Sequence, residues 1–98
     1  PHQLLLGDAY PNPASTQTMI PILLPGDANE LVDIDLSVFD MNGNRITTLA
    51  CGKYRPGVYE FIWDIGSQQK RSVSGMFFYR LSFNDNNRAP LYKKLILR

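Results

Sequence analysis

Leu31-Val-Asp-Ile-Asp-Leu-Ser-Val-Phe39 decides the fold. Val32, Ile34, Leu36 and Val38 recur with a period of two, and Asp33, Asp35 and Ser37 fall between them. Successive side chains of a strand point to opposite faces, so this stretch has one buried face and one wet face. That is the pattern of an antiparallel sheet packed on one side. Asp40-Met-Asn-Gly43 follows and reads as a hairpin turn. The Asp40 carboxylate can accept hydrogen bonds from the amides after it, and Gly43 supplies the left-handed residue of a bulged connection. Arg45 to Ala50 is then the returning strand, with Ile46 and Leu49 inward.

Outward from this hairpin the same grammar repeats. Upstream, Thr16 to Leu24 is a strand in which Pro21, lacking an amide hydrogen, predicts an edge or a bulge; Pro25-Gly26-Asp27 is a turn. Tyr10-Pro-Asn-Pro13 fits neither a helix nor a central strand and reads as a rigid entrance, with Tyr10 packing down as an anchor. Residues 1–9, including Leu4-Leu5-Leu6, read as a linker, so residues 10–98 are the expected folded unit. Downstream, Gly52 to Gly57 reads as a turn-rich loop. Val58 to Asp64 is a strand with Tyr59, Phe61 and Trp63 on one face, and Gly66 to Ser74 is a polar loop. Gly75 opens an aromatic strand from Met76 to Phe83, Asn84 to Pro90 is a second polar loop, and Leu91 to Leu97 is a closing strand. In that last strand Leu95 and Leu97 alternate with Lys94 and Ile96. Six or seven short strands, with turn signals every ~8–12 residues and no helical period, predict an all-β, Ig-like antiparallel sandwich of about seven strands.

Composition narrows the function classes. A chain of 98 residues is one domain, and burying about two-thirds of its unfolded surface lets one core carry it. Ten basic and nine acidic residues leave a formal charge of +1, too balanced for a nucleic-acid or anionic-membrane surface. No run approaches the roughly 20 apolar residues of a membrane helix, and direct membrane insertion is not expected. The N-terminus lacks the basic-then-apolar pattern of an export signal. The chain starts at Pro1 and is read as the C-terminal piece of a longer protein.

Catalytic inventory is thin. Cys51 and His2 are the only residues of their kinds, so neither a disulfide, a zinc cluster nor a thiol–imidazole pair can be assembled. Ser72 and Ser74 have no histidine free to serve as base, and the glycines punctuate turns rather than cradle phosphate. Asp33 and Asp35 share a strand face and could hold calcium or simply face water. No cofactor is expected and the chain is not read as an enzyme. Phe77, Phe78 and Tyr79 with Arg80 straddle both strand faces, with Met76 and Phe78 opposite Phe77, Tyr79 and Leu81. An uncovered face there would be an apolar patch for a partner. Lys93 and Lys94 either guard an edge strand against unwanted pairing or mark a docking strand read by an acidic groove.

Several motifs stand in a recognisable order. They are Tyr10-Pro-Asn-Pro13, Val38-Phe-Asp-Met-Asn-Gly-Asn-Arg-Ile46 and Pro56-Gly-Val-Tyr59, then Trp63-Asp64, Ser74-Gly75-Met-Phe-Phe-Tyr-Arg-Leu81 and Lys93-Lys-Leu-Ile-Leu-Arg98. Together, over about residues 4–98, they resemble the type A C-terminal signal domain of the type IX secretion system of Bacteroidetes. The Ig-like domain of the flagellar-hook scaffolding protein is related in pattern. Phe39 stands where the family hairpin has tyrosine, and Asn44 displaces the usual arginine to Arg45.

The resemblance implies a seven-stranded Ig-like sandwich behind a cargo protein. The cargo would be exported first to the periplasm, then carried to the cell surface or outside. It implies protein partners, an outer-membrane shuttle or translocon and a sortase that usually cuts before the first strand. Recognition is expected to fall on Leu95, Ile96, Leu97 and Arg98 through strand addition, with Lys93 and Lys94 steering. Tyr10, Pro11, Asn12, Pro13, Asp40, Gly43, Arg45, Gly57, Trp63, Asp64 and Gly75 are the motif positions of the scaffold. The competing expectation is a non-catalytic Ig-like spacer, or a carbohydrate- or protein-binding appendage of a surface protein. Tyr54, Tyr59 or Trp63 would then supply an aromatic platform.

Overall fold

The computed structural model describes residues 5–65, 75–84 and 88–98. The predicted loop at Gly66 to Ser74, with Ser72 and Ser74, and the middle of the Asn84 to Pro90 loop lie outside the described residues, as do His2 and Leu4. The described residues form six strands: β1 Gln17–Leu24, β2 Val32–Asp40, β3 Arg45–Tyr54, β4 Gly57–Asp64, β5 Gly75–Phe83 and β6 Leu91–Leu97. They make two antiparallel sheets, β1-β4 and β3-β2-β5-β6, packed as a β-sandwich.

The period of two in β2 does what elementary geometry requires. Val32, Ile34, Leu36 and Val38 are buried against the other sheet, where Ile20, Ile22, Leu24 and Trp63 meet them. β5 adds Phe77, Tyr79, Leu81 and Phe83, and β6 adds Leu95 and Leu97. The hairpin forms as read. The Asp40 carboxylate accepts from the amides of Asn42 (2.9 Å) and Asn44 (2.8 Å), and Gly43 has φ +88°, the left-handed region a side chain disfavours. Those bonds to Asn44 hold the Asp40 carboxyl below its usual acidity range.

Four expectations need correction. Among the described residues the sandwich has six strands rather than seven. β3 runs on to Tyr54 instead of stopping at Ala50, because Gly52 and Lys53 keep their register opposite Ile34 and Asp33. Residues 5–9 are not a free linker. Leu6 and Ala9 are buried, Leu6 bridges Ile22, the Leu23 amide donates to the Leu5 carbonyl, and the Gly7 amide donates to the Pro21 carbonyl at 2.8 Å. The cause is Tyr79. Its hydroxyl donates to the Gly7 carbonyl (2.7 Å) and accepts from the Ala9 amide (2.8 Å), fastening the segment across the core. A Cβ on Gly7 would stand 2.6 Å from Pro21 Cγ, so only glycine allows this approach. Tyr10, finally, does not pack down. It stays half exposed, pairs by backbone with Met19, and donates its hydroxyl to Glu60 at 2.7 Å.

The register also explains why Ile46 and Leu49, three apart, both pack against the core. β2 and β3 shift register between Leu36 and Ser37, which leaves Leu49 as an extra residue between Thr48 and Ala50.

Candidate functional site

β6 carries every residue expected to be recognised except Arg98, which follows it. β6 pairs with β5 along its whole length, Leu91 opposite Leu81 and Leu97 opposite Gly75. Alternation divides the expected residues. Leu95 and Leu97 point into the sandwich and are buried, whereas Lys94 and Arg98 are exposed and Ile96 is partly exposed on the outer face. Lys93 lies on the inward-facing side of the strand near its rim and pairs with Asp8 at 2.9 Å. Leu95 and Leu97 therefore hold the strand in place and cannot be touched by a partner of the folded domain. The outer face is what can be read.

The free edge of β6 is not free. The Asn12 side chain donates to the Lys94 carbonyl (3.2 Å) and accepts from the Ile96 amide (3.0 Å), doing for the edge what a neighbouring backbone would do. Ala14 then continues as a true backbone partner, in parallel register with Leu97. Its amide donates to the Ile96 carbonyl, and its carbonyl accepts from the Arg98 amide, both at 2.8 Å. Tyr10-Pro-Asn-Pro13 positions this strap. Both X-Pro peptides are cis, and the Pro11 carbonyl accepts the Thr18 hydroxyl at 2.9 Å. The motif read as an entrance is thus a cover for the C-terminal strand. Sequence reasoning missed the role of Ala14 altogether, since a small residue after a proline carries no local mark of a pairing with residues 96–98.

Beside β6 the outer face of the larger sheet carries a band of rings and guanidinium groups. Phe39 stacks on Phe78 with centroids 5.3 Å apart, and Tyr92 leans on Phe78 at 5.8 Å. The Arg80 and Arg45 guanidinium groups lie 4.6 and 5.5 Å from the Phe39 ring centre. Arg45 also reaches Asp35 at 3.7 Å. The arginine displaced by one place in the motif therefore still lands on this face. The Ser37 hydroxyl bonds the other Asp35 oxygen, and Asn84 bonds Asp33 at 3.0 Å. These two carboxylates are occupied within the sheet, and no metal-ligand cluster occurs among the described residues.

The remaining motif residues are scaffold. Gly57 and Gly75 open β4 and β5 with φ +152° and +120°, and Asp64 closes β4. Trp63 is wholly buried, so it offers no ligand platform. Tyr54, Tyr59 and Phe61 contact one another edge-on and stacked, partly buried at the open flank between β3 and β4.

A scan of protein-family models, a search of curated proteins and a search of solved structures each returned no match to this chain.

Proposed function

We propose that this sandwich is an Ig-like C-terminal signal domain of the type IX secretion kind, delivering a cargo attached before it across the outer membrane. The Ig-like reading counts the Leu5–Gly7 segment beside β1 as a rudimentary seventh strand, which gives three strands against four. The outer-membrane shuttle or translocon and a sortase are the partners. The cargo passes through the periplasm on its way to the cell surface or the medium. No catalytic role is assigned.

One observation carries the reading: β6 is held in the sheet to Leu97 by its buried leucines and by the strap, while Lys94, Ile96 and Arg98 stand outward on one face. A label built this way is read as a folded surface. Main-chain addition at residues 94–98 would first have to displace Asn12 and Ala14, so side chains of the outer face supply the first contact.

The test is a periplasmic passenger fused ahead of this chain in a host with an active type IX system. The passenger should appear outside the cell. Lys94→Glu with Arg98→Glu should trap it while leaving the thermal transition of the domain unchanged. Undiminished delivery by that charge-reversed form would overturn the proposal.

A further inference from the structure

β4 leaves an edge that nothing among the described residues covers. Along β1, the Met19 amide and carbonyl, the Pro21 carbonyl and the Leu23 amide turn toward the N-terminal segment. Ile20 and Ile22 must then turn theirs toward β4, where they face Phe61 and Tyr59. It follows that Tyr59 and Phe61 point their backbone groups at β1, and Val58, Glu60 and Ile62 point theirs away from it. Among the described residues β4 pairs with β1 alone, through eight residues without a bulge.

Natural sheets blunt such edges with lysine, proline, bulges or a covering segment. The other edges of this molecule show these devices. β6 has its lysines and its strap, and β3 has two register shifts against β2 and Gly52 in its middle. Gly57-Val-Tyr-Glu-Phe-Ile-Trp-Asp64 has no lysine, proline or bulge, and no described residue covers it; Glu60 and Asp64 are its only charges. Its outward side chains are apolar but for the acids: Val58 is 75% exposed and Ile62 54%. Met19 and Leu23 of β1 extend the apolar surface, directly opposite Ile62 and Val58.

We infer that β4 is a self-association edge, pairing antiparallel with β4 of a second copy about a two-fold axis at Phe61. Three conditions select this register, the first being that the axis lies near the middle of β4, at Glu60 or Phe61, where the two strands overlap most. Faces must match, so only residues of like parity can stand opposite each other. Like charges must not meet, which rules out an axis at Glu60, where the two glutamates would oppose. With the axis at Phe61, Glu60 lies across from the partner's Ile62 and Val58 across from the partner's Asp64. The outward backbone groups of Glu60 then meet those of the partner's Ile62 in hydrogen-bonded pairs, twice over by the symmetry. The two β1-β4 sheets become one. The contact is isologous, so it closes as a dimer rather than growing as a filament.

Sedimentation equilibrium of the chain from low micromolar to millimolar concentration tests this, with Ile62→Glu and Ile62→Lys beside the native chain. All three should keep the same circular dichroism, since residue 62 faces solvent. The native chain should show a monomer–dimer equilibrium. Ile62→Glu places two glutamates across from two glutamates and should weaken it about tenfold, whereas Ile62→Lys places lysine across from Glu60 and should preserve or tighten it. A monomer at every concentration overturns the inference. So does a dimer that responds equally to both variants, because its contact would then lie elsewhere.

Discussion

The β6 and β4 edges of this sandwich are treated in opposite ways. At β6 the chain spends a cis-proline segment, one asparagine side chain and one alanine backbone to occupy the outward groups of residues 94–98. At β4 the outward groups of Val58, Glu60 and Ile62 meet no described residue. Strand exposure therefore does not follow position in the sequence. Among the described residues the strand nearest the C-terminus is the closed one, and an interior strand is the open one. For the proposed sorting role the consequence is specific: the label is a held face, and main-chain contact at its edge comes only after the strap yields.

Substitutions at the two strands separate their roles. The largest effect should come from the buried side of β6. Leu95→Ala removes a fully buried side chain and should cost about 2–5 kcal/mol in urea unfolding, whereas Val58→Ala on β4 should stay within about 0.5 kcal/mol. Equal losses at the two sites would erase the distinction between the strands.

Tyr79→Phe comes next. It leaves the Gly7 carbonyl and the Ala9 amide without their partner, at about 1–3 kcal/mol, and should free residues 5–9 first. Burial pushes the Tyr79 hydroxyl up to about 12 from an ordinary 10.0. The unfolded chain therefore loses that proton at lower pH than the folded one. This contribution to stability is whole below pH 10 and is lost as pH rises toward 12, an alkaline slope that Tyr79→Phe should remove.

Asn12→Ala should be milder, about 0.5–1.5 kcal/mol, because the groups it exposes can bond to water. Its signature is local: faster amide exchange at Ile96 with the β4 amides unchanged. Smallest of all, Asp40→Ala should flatten the acid limb of the stability curve. The folded Asp40 pKa lies below 3.8, so its contribution is present above that pH and is lost as pH falls through the folded value.

How much of this was legible beforehand follows from which interactions are local. The faces of β2 and β5 could be read because alternation depends only on neighbours in the chain. The Asp40 turn could be read because its bonds span four residues at most. The strap could not, since Asn12 and Ala14 meet partners more than eighty residues away, and nothing in their own composition declares it. Leu6 looked like a sticky linker residue for the same reason: its burial depends on Ile22 and Tyr79, not on its neighbours. Tyr10 reads as an anchor packing down from a rigid entrance, and a bond to Glu60 keeps it at the surface. For the candidate site, the division of residues 93–98 between faces was readable, but the occupation of the edge was not.

Residue-resolved amide exchange on the dilute chain tests the closed-and-open contrast most directly. The amides of Ile96 and Arg98 should exchange slowly. Those of Val58, Glu60 and Ile62 should exchange near the rate of an unstructured chain, between protected neighbours at Tyr59 and Phe61. Protection of the three β4 amides at dilution, or free exchange at Ile96 and Arg98, would contradict the account.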